Sequence, residues 1–91
     1  MSELNFNYLP HRIWAKDENG KVICEISFPE KEKGISDIES TFVDDDYRGQ
    51  GLAEKLVKLA LKTIEERGDK VVADCPYARK WIHNNRPDLN V

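Results

Sequence analysis

A chain of 91 residues, 40% hydrophobic and 34% charged, can build one core and no more, since a domain this small buries roughly two thirds of the surface its unfolded chain exposes. Its net charge of −3 argues against the broad basic surface that nucleic-acid binding needs, and no apolar run approaches the ~20 residues of a membrane span. Met1 to Asn5 shows no secretory pattern, and Cys24 and Cys75, like His11 and His83, lack metal-ligand spacing. The expectation is therefore a cytoplasmic single domain over residues 1–91, with free thiols and no metal.

Residues 11–28 read as a β-hairpin. Ile13, Trp14 and Ala15 lead into Asp17-Glu18-Asn19-Gly20, whose Asn-Gly pair tolerates the positive φ of a tight turn, and Val22, Cys24, Ile26 and Phe28 then alternate with polar residues. Pro29 and the charged run 30–34 end the second strand. A third strand over 35–43 puts Ile38, Ser40 and Phe42 on one side and Glu39, Thr41 and Val43 on the other. That untidy alternation fits a bulge or a ligand-facing strand. Leu52, Leu56, Val57, Leu59, Ala60, Leu61 and Ile64 then recur at helical spacing, which predicts an amphipathic helix over 51–67 with Gly68 just past its end. Val71, Val72 and Ala73 make a short buried strand, and Pro76 opens a second helix. The order is βββαβα, an α/β (α+β) arrangement in which residues 35–75 form a right-handed strand–helix–strand crossover in one sheet. Trp14, Phe28, Tyr77 and Trp81 are expected to pack the core.

The stretch Tyr47-Arg48-Gly49-Gln50-Gly51-Leu52-Ala53 places two glycines and an arginine before the long helix. The first N–H groups of a helix have no intrahelical partner, and the helix dipole puts about half a positive charge there, so an anion is welcome. Gly49 and Gly51 would let the backbone come close to a phosphate, with Arg48 or Gln50 adding donors. A glycine-rich turn without a ligand reads equally well from the residues alone. The dinucleotide fingerprint needs a glycine where Glu54 stands, and the P-loop needs Gly-Lys-Ser/Thr, so both nucleotide readings fall.

What remains is Arg48-x-x-Gly51-x-Ala53 after a strand and before a helix. It resembles the Gln/Arg-x-x-Gly-x-Gly/Ala loop of the GNAT acetyltransferase superfamily, and with Cys75-Pro76-Tyr77 and the short last helix the whole chain resembles the minimal single-domain members of that superfamily. The resemblance implies a mostly antiparallel mixed sheet with a splayed strand pair forming an acyl-CoA cleft. It implies acetyl transfer from acetyl-CoA to an amine such as a protein lysine, a polyamine or a small amine, by a monomer or weak dimer. The alternative is a coenzyme A binding module without efficient transfer.

It further implies a donor site built from Thr41, Phe42, Val43, Arg48, Gly49, Gln50, Gly51, Leu52, Ala53 and Cys75, with His83 and Asn84 near the nucleotide end or simply on the surface. The backbone of Phe42 and Val43 would hold the donor's arm. Small members carry His-Thr where this chain has Ser40-Thr41, so no histidine base is implied. Glu39 stands one residue earlier as a carboxylate base or a solvated strand residue. Cys75, before a helix-opening proline, is a nucleophile forming a transient acyl-cysteine, a contact lining the thioester, or a small buried hydrophobe.

Overall fold

The protein is described by a computed structural model covering residues 4–91, and the reading of Met1 to Glu3 as free of a leader lies outside the described residues. The elements run β1 (Phe6–Leu9), β2 (Arg12–Lys16), β3 (Val22–Ser27), β4 (Glu30–Glu32), β5 (Ile35–Ile38), β6 (Ser40–Val43), α1 (Leu52–Glu66), β7 (Lys70–Ala73) and α2 (Pro76–Asn85). β1, β2, β3 and β6 pair in that order as antiparallel neighbours, while β5 pairs with β4 antiparallel and with β7 parallel. The fold is the mixed, mostly antiparallel α+β arrangement expected, with more strands than the βββαβα order.

The β2–β3 hairpin forms, but by a different turn. Only Gly20 takes a positive φ, 84°, and Asn19 does not. Gly20 N–H donates to the Asp17 carbonyl at 3.1 Å, and the Asp17 carboxylate accepts from the N–H groups of Asn19 and Lys21 at 2.9 and 3.0 Å. An Asx turn with one left-handed glycine replaces the two-residue Asn-Gly turn, and the register shifts between Ala15 and Lys16.

The expected strand 35–43 is two strands with a break at Glu39. Ile35 to Ile38 align with Lys70 to Ala73 of β7, whereas Ser40 to Val43 align with Ser27 to Cys24 of β3. At the break the Ile38 carbonyl accepts from both Asp74 N–H (3.1 Å) and Cys75 N–H (3.0 Å), which ends the parallel pairing, and Glu39 N–H turns to the Ser27 carbonyl (2.9 Å). Past Ala73 the chain leaves for α2, so β6 keeps a neighbour on one edge only.

The strands thus form two sheets, β1-β2-β3-β6 and β4-β5-β7, and α1 packs against both. Leu56, Val57, Ala60 and Ile64 are fully buried in one cluster with Ile13, Ile26 and Phe28 of the hairpin and Ala78 and Ile82 of α2, each large side chain contributing about 1.5–3 kcal/mol. Cys24 is buried there as well. Phe28 packs the core as expected, but Trp14 is only half-buried and stacks under the Arg12 guanidinium at 4.1 Å. Trp81 is half-buried and packs against this cluster as expected, whereas Tyr77 is 43% exposed.

Candidate functional site

The ladder between β3 and β6 decides which backbone groups are open. Asp44 N–H donates to the Ile23 carbonyl at 2.7 Å, so these residues face each other as a hydrogen-bonded pair. In an antiparallel ladder such pairs alternate. Ser40 and Phe42 therefore bond to β3, and Thr41 and Val43 present their N–H and C=O groups to the open edge. This corrects the assignment of Phe42: its amide faces β3, and its side chain, 45% exposed, lies on the sheet face away from α1.

From the end of β6 the chain makes one 3₁₀ turn, Asp45–Tyr47, capped by the Asp44 carboxylate on Asp46 N–H at 3.0 Å. Lys21 pairs with Asp44 at 3.0 Å and Arg48 with Asp45 at 3.1 Å, so two of the three acidic charges here are countered. That pairing, after the backbone N–H of Asp46, holds the Asp44 carboxyl below its ordinary range. Gly49 and Gly51 follow in the left-handed region at φ 83° and 78°, and Gly51 is the N-cap of α1 without any side-chain cap. Among the described residues, none of the six N–H groups from Gly49 to Glu54 has a protein acceptor. A Cβ added at Gly49 or Gly51 would meet no protein atom within 4 Å. These glycines are not required by packing. The conformation needs them, and they keep the approach to the amides clear.

A groove of about 400 Å³ joins this loop to the open strand edge, lined by Thr41, Val43, Arg48, Gly49, Gly51, Leu52 and Ala53, with Tyr47, Glu54 and Tyr77. Seven residues named from the sequence are thus brought together. Arg48 is folded back on the protein, its Nε donating to the Val43 carbonyl at 3.2 Å. Gln50 points the other way, into a neighbouring depression with Lys16 and Lys55. Cys75 caps α2 just behind the groove, 6% exposed, its Sγ donating to Thr41 Oγ1 at 3.5 Å.

Other expected residues stand apart. Glu39 is exposed at the strand break and does not line the groove. His83 and Asn84 are exposed near the far end of α2, where a His83 ring nitrogen contacts the Val91 carbonyl. The N-terminal turn of α2 faces the groove, and its last turn points elsewhere.

Sequence reasoning missed Tyr77 and Asp37. Tyr77 follows the helix-opening Pro76, and burial first, then the Glu54 carboxylate, push its phenol above the ordinary value near 10, so it keeps its proton at neutral pH. Asp37 is 4% exposed, one residue before the fork where β5 and β7 part, and its Oδ1 accepts from Asp74 N–H at 3.0 Å. Burial and then the neighbouring Asp74 carboxyl push the Asp37 carboxyl up. The available signal was an acid inside the apolar run Ile35-Ser36-Asp37-Ile38.

An α+β arrangement whose strands fork beside a loop of unpartnered amides defines the class of fold, and sequence comparison gives the family. Residues 12–90 match the profile of the family described as GCN5-related N-acetyl-transferase, and the chain belongs to it. Protein NATD1 of Gallus gallus is 40% identical over 53 residues, 58% of this chain and 48% of that protein; Protein NATD1 of Homo sapiens is equally similar over 47% of its length. The chain spans about half the length of the curated relatives it matches. A GCN5-like protein of Staphylococcus aureus, solved by NMR, shares the fold with a TM-score of 0.77 and 24% identity, covering 96% of this chain and 85% of that one. The GNAT family N-acetyltransferase YhbS of Escherichia coli, solved in complex with CoA, gives a TM-score of 0.60 and 32% identity over 68% of this chain and 38% of its own.

Proposed function

We propose that the protein binds acetyl-CoA and transfers its acetyl group to an amine. The observation that carries this is the row of unpartnered amides from Gly49 to Glu54, continuous through one groove with the open edge of β6. The amides at the positive end of α1 supply donors for the diphosphate, with no Cβ at Gly49 or Gly51 in the way. Thr41 and Val43 offer N–H and C=O groups at strand spacing, which suits an amide-bearing pantetheine arm laid along β6 as an added strand. The CoA complex of the YhbS relative supports the same ligand.

A bound thioester supplies an activated acyl carbon and a thiolate leaving group. Tyr77 faces the groove with its proton held, and is placed to protonate that thiolate. Glu39 lies off the groove, and Asp37, raised by burial and by Asp74, is buried behind the fork and lines no part of it, so the amine's proton leaves to solvent through the open cleft. The acceptor is an amine reached through an open cleft: a protein lysine, a polyamine or a small amine. The second reading is a coenzyme A binding module without efficient transfer. It is favoured by Cys75, whose buried thiol hydrogen-bonds to Thr41 and lines no part of the groove.

Incubation with acetyl-CoA and a panel of amines, with free coenzyme A measured, separates the two. Turnover above buffer is expected with at least one amine class. Calorimetric binding without turnover moves the function to the binding module, and absence of binding overturns both.

A further inference from the structure

Glu54 sets an electrostatic problem for the donor groove. It stands in the first turn of α1, where a carboxylate favours the helix, but it also lines the groove whose amides would hold a diphosphate. Two contacts hold it. Trp81 of α2 donates its indole N–H to Glu54 Oε2 at 2.8 Å, and Lys58, one turn further along α1, approaches Oε1 at 3.7 Å. Trp81 itself lies beside Lys58, Leu61 and Lys62, one to two turns downstream of Glu54. Both carboxylate oxygens are therefore drawn down the helix, away from Gly49 and Gly51. The indole first, and Lys58 after it, hold the Glu54 carboxyl below its ordinary range, so it is charged whenever a donor binds near neutral pH.

We propose that Trp81 is a positioning residue for the donor: its indole turns the Glu54 carboxylate down α1 and off the amide row, removing a repulsive charge from the diphosphate site. This rests on the donor reading above. The contact is separable from the docking of α2, because Arg86 binds Glu65 near the other end of α1 through two hydrogen bonds, at 3.1 and 3.0 Å, and Ala78 and Ile82 are buried in the core.

The test is a double-mutant cycle read by calorimetry with coenzyme A on wild type, Trp81→Phe, Glu54→Gln and the double variant. Trp81→Phe is expected to weaken binding about three- to ten-fold, the size of a freed charge near a phosphate in a solvated groove, and to have no effect in the Glu54→Gln background. The loss should shrink at high salt, which a packing defect would not do. Glu54→Asp keeps the charge but shortens its reach to the indole, and should weaken binding similarly without altering any core residue. Equal losses from Trp81→Phe in both backgrounds, or Glu54→Asp without effect, overturn the proposal while leaving the donor reading intact. A wild-type protein that does not bind coenzyme A removes both.

Discussion

The two ends of α1 are marked by the same residue in the same conformation and finish in opposite ways. Gly51 at the N-terminus and Gly68 past the C-terminus both have φ of 78°. At the C-terminal end the helix closes on itself, with Gly68 N–H donating to the Glu65 carbonyl at 3.0 Å and Asp69 N–H to the Ile64 carbonyl at 3.2 Å. At the N-terminal end no side chain caps the helix, and the amides from Gly49 to Glu54 stay open. A serine or aspartate at the N-cap would have satisfied one of them, for a few tenths of a kcal/mol over glycine. The helix explains its own left-handed glycine at one end. At the other the same geometry forgoes a cap and exposes donors, the arrangement that the proposed diphosphate site uses.

Exchanging the two glycines for residues with side chains breaks the comparison most directly. Gly51→Glu places a carboxylate among the open amides and is expected to abolish coenzyme A binding, roughly a hundred-fold or more by calorimetry. Gly68→Ala strains a positive-φ site that touches no ligand. It should lower the unfolding midpoint by about 4–8 °C, for a loss of about 1 kcal/mol, and leave binding unchanged. Tight binding by Gly51→Glu would mean that the open amides are not the donor site.

Next in size are the groups that flank the open end. Tyr77→Phe removes the phenolic proton at the edge of the groove and should slow transfer about a hundred-fold with little change in coenzyme A affinity, read as kcat against Kd. Asp37→Asn keeps an oxygen to accept from Asp74 N–H but cannot titrate. The wild-type carboxyl is raised by burial and by Asp74, so its folded value lies above the unfolded one near 3.8. Protonation then favours the fold, a stabilisation complete below the unfolded value and lost as pH rises through the folded one. Wild type should therefore lose stability relative to Asp37→Asn as pH rises from about 4 toward neutrality, in thermal melts across that range. Parallel profiles would remove Asp37 as a perturbed acid.

What the sequence showed, and what it hid, follows the range of the interactions involved. The 3.6-residue stripe from Leu52 to Ile64 and the Gly68 stop are local patterns, and α1 ends where they predict. The loop Arg48 to Ala53 was legible for the same reason. The break at Glu39 was not, because it is made by two partners far along the chain, β3 and β7, that compete for one strand. With the break unseen, Phe42 was given the role that the ladder gives to Thr41. Asp37 and Tyr77 were missed because an acid in an apolar run and an aromatic after a proline are each ambiguous until the fork places them. His83 and Asn84 stand exposed near the far end of α2 and outside the groove, a placement that spacing in sequence does not reveal.

The smallest effect concerns how the open end is guarded. Arg48 places Nε on the Val43 carbonyl and its guanidinium beside Asp45, so one of the two carbonyls on the free edge of β6 is already engaged. A pantetheine amide bonding to Val43 must displace that contact, and a diphosphate on the loop gives the guanidinium a better partner than Asp45. Asp45→Asn weakens only the resting arrangement. Both side chains are mostly exposed, so the pair is worth little, and the variant should bind coenzyme A about two-fold more tightly at low salt, with the gain gone at high salt. A loss of affinity in Asp45→Asn would show that Asp45 orients Arg48 for the diphosphate instead of holding it back, and would make the acidic turn part of the site.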